Sequence, residues 1–502
     1  MYVPCAISHT ECRPTRCDVG AIDMLPDDVL LIIFDIFVAH DVDEDFLHDT
    51  RIMVAEDTEV WQSLVHVCRR WRGIVFESPR RLNLQLAYTR KTLAMETLDV
   101  WPAFPIRIQL PNDPCQTEDA DDIVAVLGRG DRVNEISLYV VDSSPLQRIL
   151  GAMKEPFPEL THLLLRSTGA VPVLPDSFLG GSAPRLRFLC LMRISFPGLP
   201  KLLLSVTHLV SLRLDKITRS GYLSPDAMVT ALSTLTSLRS FRLTFQSLQS
   251  RPDHASRSPL PTTRTVLPAL TVFWFKGVSE YLDDFVARID APRLESLYLT
   301  FFNQTVFDTP QIVQFISRTP MLTALGQARV VFGTGAARVN ISSRTSPNIE
   351  IDVKIPCIEL DWQVLYLEQV FTSCLPPLPT LEDLYIFRAP LSHPHWRDNI
   401  EITLWPELLH SFSTVKNLYL SDEFATHIGP ALQEFVGENT TEVLPTLQKI
   451  FLESLQPSDY GSGLVQRYIG RLVATRQVNG RPIEVFRWDN PEQDKVLRNP
   501  DL

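Results

Sequence analysis

At 502 residues the chain is too long for one compact core unless it is built from repeats. Its formal charge of −12 argues against a nucleic-acid backbone or an anionic membrane surface as the main partner, because both need a basic face. Hydrophobic residues at 45% and charged residues at 21% are ordinary for a water-soluble protein, and no apolar run approaches the roughly 18 residues that span a bilayer. Met1-Tyr2-Val3-Pro4-Cys5 lacks a charged-then-apolar export pattern. The eight cysteines are therefore expected as thiols in the cytoplasm or nucleus, and the sequons at Asn303, Asn340 and Asn439 as chance matches.

Residues 1–21 have no periodicity and read as a disordered tail. Cys5, His9, Cys12 and Cys17 lie there at a spacing that fits no zinc finger, so no metal is expected. From Met24 to Phe37 the pattern predicts a helix: Pro26 suits an opening turn, Asp27 and Asp28 sit where the helix dipole favours negative charge, and apolar residues follow almost all round. Trp61–Phe76 is again helical, with Val67, Cys68, Trp71 and Val75 at helical spacing and arginines between them. The intervening stretch Val38–Glu59 is rich in Asp and Glu and reads as a looped-out insertion.

These two pieces resemble the F-box. Its pattern opens Leu-Pro-x-Glu/Asp and closes Val-Cys-Arg/Lys-x-Trp, against Leu25-Pro26-Asp27-Asp28 and Val67-Cys68-Arg69-Arg70-Trp71. The resemblance implies a small helical module over 22–76 that docks on a Skp-type adaptor and, through it, a cullin. By the same resemblance Leu25, Pro26, Ile33, Val67, Cys68 and Trp71 touch the adaptor or brace that surface. Cys68 is expected there as a small buried hydrophobe rather than a nucleophile. The plain alternative is a helical hairpin that happens to start with Leu-Pro.

Residues 77–129 read as a linker and cap: Ile106–Leu110 alternates as a half-buried strand does, and Pro111–Asp122 reads as a polar turn region. A weak repeat then runs through 130–488, with the unit Pro-x-Leu-x-x-Leu-x-Leu clearest at Pro158–Leu165 and Pro184–Leu191. Leu160, Leu186, Leu209, Leu238, Leu270, Leu294 and Leu322 start units about 23–32 residues apart, and further copies begin at Pro379, Val415 and Pro445. Proline ends the preceding helix and sets an extended lead-in, after which leucines alternate inward on a short strand. Helical patterns lie between the strands, as at Thr309–Ile316 and Val364–Phe371. Such a unit cannot bury its apolar face alone, so neighbours must stack.

The unit resembles the leucine-rich repeat. The resemblance implies an α/β fold: an irregular solenoid with parallel strands on a concave side and helices on a convex side. The Asn or Cys that usually bonds the turn backbone is absent, since Ile194, Ile217, Gln246, Val278 and Glu423 occupy those places, so loosely turned repeats are expected. Gln249–Val266 and Gly333–Pro347 read as mobile loops, Leu464–Arg476 as a last helix, Pro482–Trp488 as a closing strand, and 489–502 as a tail. F-box, repeats and the segment Leu375–Ile386 together are similar to the large F-box families of mushroom-forming fungi.

No phosphate loop, Cys-x-x-Cys pair, His-Glu-x-x-His helix or Gly-x-Ser-x-Gly elbow is present, and His393-Pro394-His395-Trp396 reads as loop, so neither an enzyme nor a cofactor is expected. The position between the last two leucines of each unit points to the concave face: Leu164, Cys190, Arg213, Arg242, Trp274, Tyr298, Tyr385, Tyr419 and Phe451. Arg213, Arg242, Trp274, Tyr298, Tyr385, Tyr419 and Phe451 are the residue types that carry interfaces and are the candidate seat of an unknown protein substrate. Equally, strand aromatics can simply pack on neighbouring strands. The resemblances imply the substrate-recognition subunit of an SCF-type (Skp–cullin–F-box) ubiquitin ligase, which acts by proximity. The alternative is a non-catalytic repeat scaffold whose F-box serves a complex without cullin.

Overall fold

The computed structural model describes residues 24–39, 60–79, 81–82, 84–88, 104–110, 117–140, 143–169, 171–197, 199–250, 263–302, 307, 309–389, 404–434, 443–453 and 462–488. Five sequence expectations lie outside that set: the Cys and His residues of 1–21, the acidic stretch from His40 to Glu59, residues 251–262, His393–Trp396 and 489–502.

The chain divides into two compact units, Met1–Arg107 and Ile108–Leu502. The first contains helices α1 (Asp27–Ala39), α2 (Val60–Val67) and α3 (Arg69–Glu77) and a short strand β1 (Leu86–Tyr88), while β2 (Ile106–Leu110) spans the point of division. The Pro26 carbonyl accepts the first-turn N–H groups of Val29 and Leu30, at 3.0 and 3.1 Å, which starts α1 where the sequence places it. Leu30, Leu31 and Phe34 of α1 are buried, as are Leu64, Val65, Ile74 and Val75 of the other two helices.

The second unit alternates strand and helix. It runs α4 (Thr117–Leu127), β3 (Val133–Val140), α5 (Ser143–Ala152), β4 (His162–Ser167), β5 (Phe188–Met192), α6 (Leu199–Leu203), β6 (Ser211–Ile217), α7 (Pro225–Leu232) and β7 (Ser240–Phe245). It continues β8 (Thr265–Val266), β9 (Val272–Gly277), α8 (Ser279–Val286), β10 (Ile289–Asp290), β11 (Ser296–Phe301), α9 (Pro310–Ser317), β12 (Gln327–Phe332), β13 (Ala336–Ser342) and β14 (Glu350–Pro356). It ends α10 (Leu360–Ser373), β15 (Asp383–Arg388), α11 (Leu404–His410), β16 (Asn417–Leu420), α12 (Asp422–Glu434), β17 (Lys449–Glu453), α13 (Ser462–Val478) and β18 (Glu484–Trp488).

From β3 the sheet order is β3-β4-β5-β6-β7-β9-β11-β14-β13-β12-β15-β16-β17-β18, with β8 and β10 paired separately. Every registered pair in it is parallel except the two that β13 makes with β12 and β14. This is a mixed α/β repeat scaffold with a large, mainly parallel sheet. The apolar positions fall in phase: Leu163, Leu189, Leu212, Phe241, Phe273 and Leu297 are successive cross-strand partners, and all are at most 1% exposed on the helix-covered side. The opposite face carries no helix and is half-exposed.

Three expectations are corrected. Thr117–Leu127 is a helix where a polar turn was read, because Ala120, Ile123, Val126 and Leu127 are buried at helical spacing behind an acidic first turn. Gly333–Pro347 is no mobile loop over its length: Ala336–Ser342 is a strand inside the sheet, with Ala337, Val339 and Ile341 buried by alternation. Gly333 and Gly335 lie in the turn before it, and their presence beside Ser and Thr masked the period-2 signal.

The repeats are also not loosely joined. Lead-in carbonyls each accept two N–H groups of the next unit, as Arg187 does from Val210 and Ser211, and Lys416 from Gln448 and Lys449. Lead-in threonines add a second tie to the preceding unit. Thr161 Oγ1 donates to the Asn134 carbonyl (3.0 Å), Thr271 to Arg239 (3.2 Å), Thr380 to Leu325 (2.8 Å), Thr414 to Leu381 (2.8 Å) and Thr446 to Val415 (2.8 Å). A threonine ladder at the start of the strands thus stands in for the missing Asn or Cys at their ends.

Helices are coupled too. Asp283, buried on α8, accepts from the backbone N–H groups of Gln311 (2.8 Å) and Ile312 (3.1 Å), the orphan donors that begin α9. Asp283→Ala leaves both donors buried and is expected to cost about 2–3 kcal/mol, with Asp283→Asn costing less because it keeps an acceptor oxygen. Urea unfolding of the three proteins checks the order; an unchanged midpoint for the alanine variant would contradict the coupling.

Candidate functional site

In the first unit, α3 fastens the start of α1. Arg70 donates through Nη2 to the Leu25 carbonyl (2.5 Å) and to Asp27 Oδ1 (2.6 Å), and through Nε to Asp27 Oδ1 (3.0 Å). Trp71 packs on Phe34 at 4.7 Å between ring centroids. Cys68 Sγ accepts the Trp71 N–H at 3.4 Å and caps α3, so its half-buried thiol is a helix cap and not the buried hydrophobe expected from the sequence. Leu25 is half-buried, and Pro26, Ile33 and Val67 are exposed. Arg70, which the sequence reading passed over, is the residue that joins the two matched halves.

Helix α1 is apolar on both sides. Its inward side chains are spoken for, yet Val29, Ile32, Ile33, Ile36 and Phe37 are 38%, 51%, 45%, 57% and 48% exposed. Their spacing places them along one face. Val67, at 58% exposed, adds to the exposed apolar surface of this unit. A contiguous apolar stripe on water marks a docking surface rather than chance exposure.

In the second unit, the stripe expected on the strands is a single cross-strand row. Successive partners are Leu164, Cys190, Arg213, Arg242, Trp274 and Tyr298, then Asp352, Asn340 and Arg329, then Tyr385, Tyr419, Phe451 and Phe486. The sequence reading missed the three central residues because they lie on β14, β13 and β12, the meander read partly as loop. It also missed Phe486, and Trp488 beside it, for which the alternation Ile483–Val485 and Phe486–Trp488 was the only signal.

The row stacks. Trp274 lies on Tyr298 at 3.7 Å, Tyr385 on Tyr419 at 4.1 Å, Tyr419 on Phe451 at 4.3 Å and Phe451 on Phe486 at 5.2 Å, each within 20° of parallel. Trp488 reaches back to Tyr419 at 5.3 Å. Arg242 sits over Trp274 at 5.1 Å and Arg329 over Tyr385 at 5.7 Å, so each aromatic run begins under a guanidinium. The rings therefore pack on one another and still leave their outer edges half-exposed.

Charge on this face is arranged against buried acids. Arg242 pairs with Asp215 at 3.0 Å and Arg338 with Asp352 at 2.6 Å, both aspartates being buried. Burial pulls the Asp352 carboxyl up from its usual range, with Arg338 opposing it. Tyr298 donates to Glu350 Oε1 at 2.5 Å; burial and that carboxylate hold its phenol well above the ordinary value. Burial, then Tyr419 and Asp383, does the same for Tyr385. Among the described residues no group of three or more His, Cys, Asp or Glu could hold a metal ion, and no helix is long and apolar enough to cross a membrane.

No protein-family model matches the chain, and no curated protein matches it. Among solved structures the chain is similar to the leucine-rich repeat-containing protein LegL7 from Legionella pneumophila. The identity is 14%, over 77% of this chain and 96% of that one, at a TM-score of 0.27.

Cys190 gives the row a chemical check. Burial, then Asp215, pushes its thiol up to about 12. Only roughly one molecule in ten thousand then carries the thiolate at pH 8, and the thiolate is the reactive form. N-ethylmaleimide at pH 8 is expected to leave Cys190 unlabelled in the folded chain and to label it after denaturation, read by peptide mass mapping. Rapid labelling of the folded chain would contradict the packing of the row.

Proposed function

We propose that the chain is the substrate-recognition subunit of an SCF-type ubiquitin ligase. On this reading the α1 stripe docks on a Skp-type adaptor, which brings cullin, and the open face of the sheet seats a protein substrate. The observation that carries it is the exposed run Val29, Ile32, Ile33, Ile36 and Phe37, on a helix whose other side is already packed and whose start Arg70 fixes. Its support is the match of this unit to the F-box pattern, since Leu25-Pro26-Asp27 and Arg70-Trp71 are the residues that meet in the structure. Covalent chemistry belongs to the conjugating enzyme; this chain raises the local concentration of the target lysine. It works in the cytoplasm or nucleus, with no cofactor.

A pull-down of the full chain tests this, with Ile33→Glu and Ile36→Glu combined as the variant. Both side chains are about half exposed, so the variant is expected to fold with unchanged melting temperature. Wild type is expected to capture the Skp-type adaptor and cullin, and the variant to lose at least tenfold of both. Adaptor without cullin would favour a scaffold in a different complex, and capture of neither by the wild type would overturn the reading.

A further inference from the structure

Two residues beyond the aromatic row, a second row crosses the open face. Thr244, Lys276, Thr300 and Lys354 are successive cross-strand partners on β7, β9, β11 and β14. Lys216 stands beside Thr244 on β6, where the register shifts between Leu214 and Ile217, and its N–H donates to Thr244 Oγ1 at 2.8 Å. The sequence along the row is therefore Lys216, Thr244, Lys276, Thr300, Lys354, lysine alternating with threonine over neighbouring strands.

The three lysines differ from the arginines around them. Arg242 and Arg338 are matched to buried aspartates, whereas Lys216, Lys276 and Lys354 are exposed and make no ion pair among the described residues. Each lysine acts on the next: burial first, then Lys216, Lys354 and Arg242, lowers the Lys276 amine from its ordinary value, while Asp215 opposes them. Lys216 also holds φ at 53°, a left-handed backbone that side-chain-bearing residues seldom adopt. Three like charges kept within reach of one another, on a chain whose net charge is −12, form a local field of the opposite sign to the whole.

We propose that this row is the recognition subsite for an extended acidic segment of the protein partner, its carboxylates set over Lys216, Lys276 and Lys354. Strands lie about 4.8 Å apart, so successive lysines are spaced by roughly 10 Å, which is about three residues of extended chain. The segment then runs across the strands with an acidic residue at every third position. The stacked Trp274 and Tyr298, two residues back on the strands of Lys276 and Thr300, offer an apolar platform to the side chains between. The inference rests on the receptor reading only in taking the open face as the seat of the partner.

The test is fluorescence anisotropy of the full chain with a labelled peptide carrying Glu at every third position, and with the same peptide carrying Gln instead. A uridine oligonucleotide of equal charge is the competitor. Wild type is expected to bind the Glu peptide saturably and more weakly as salt rises, and to ignore the Gln peptide. Lys216→Gln, Lys276→Gln and Lys354→Gln combined is expected to weaken binding at least tenfold, while Lys201→Gln, on helix α6, leaves it unchanged. Equal affinity for the two peptides, an unaffected triple variant, or tighter binding of the oligonucleotide would overturn the proposal. Adaptor capture measured on the same samples separates the two claims. Capture without peptide binding sinks the subsite alone, and peptide binding without capture sinks the receptor reading while supporting the subsite.

Discussion

Everything on the open face depends on one repeated contact, the lead-in carbonyl that accepts two N–H groups from the following unit. It recurs at Thr161, Arg187, Val210, Arg239, Thr271, Glu382 and Lys416. Because side chains alternate with a period of two, a slip of one residue at any of these contacts would turn a leucine outward and a tyrosine into the core. Holding them in phase puts leucine and phenylalanine in one row against the helices and arginine, tryptophan and tyrosine in another against water. The stacks of Trp274 on Tyr298 and of Tyr385 on Tyr419 are consequences of register as much as of ring attraction. The threonine ladder reinforces that register with hydroxyls in place of the amide ladder that the repeat pattern lacks.

The strands were legible because their signal is local and repeated. Pro158–Leu165 and Pro184–Leu191 carry the lead-in proline and three alternating leucines, and the stripe positions read from them are cross-strand partners over most of its length. What failed to show was anything set by topology. Asp352, Asn340 and Arg329 enter the middle of the row because β12, β13 and β14 fold back as a meander, and no periodicity announces the order of strands in a sheet. Helix α4 was hidden by charge: Thr117-Glu118-Asp119-Ala120-Asp121-Asp122 looks like a turn until Ile123 and Val126 are seen on one side. Arg70 was passed over because a charged residue between apolar ones reads as a solvated face, while its partners, Leu25 and Asp27, are more than 40 residues away.

The two candidate surfaces bind by different physics. That of α1 is apolar and nearly uncharged at its exposed positions, suited to a stable partner that buries it. That of the second unit is a layer of aromatic edges beside a lysine row, suited to contacts that salt weakens. A receptor needs this division, since its complex must persist while its clients exchange.

The most direct measurement is hydroxyl-radical footprinting of the full chain alone and with a Skp-type adaptor, quantified residue by residue by mass spectrometry. The account predicts protection of Ile32, Ile33, Ile36, Phe37 and Val67, with Tyr385, Tyr419 and Phe451 labelled as before. Equal labelling of the α1 stripe in both samples, or protection confined to the open face of the sheet, would contradict it.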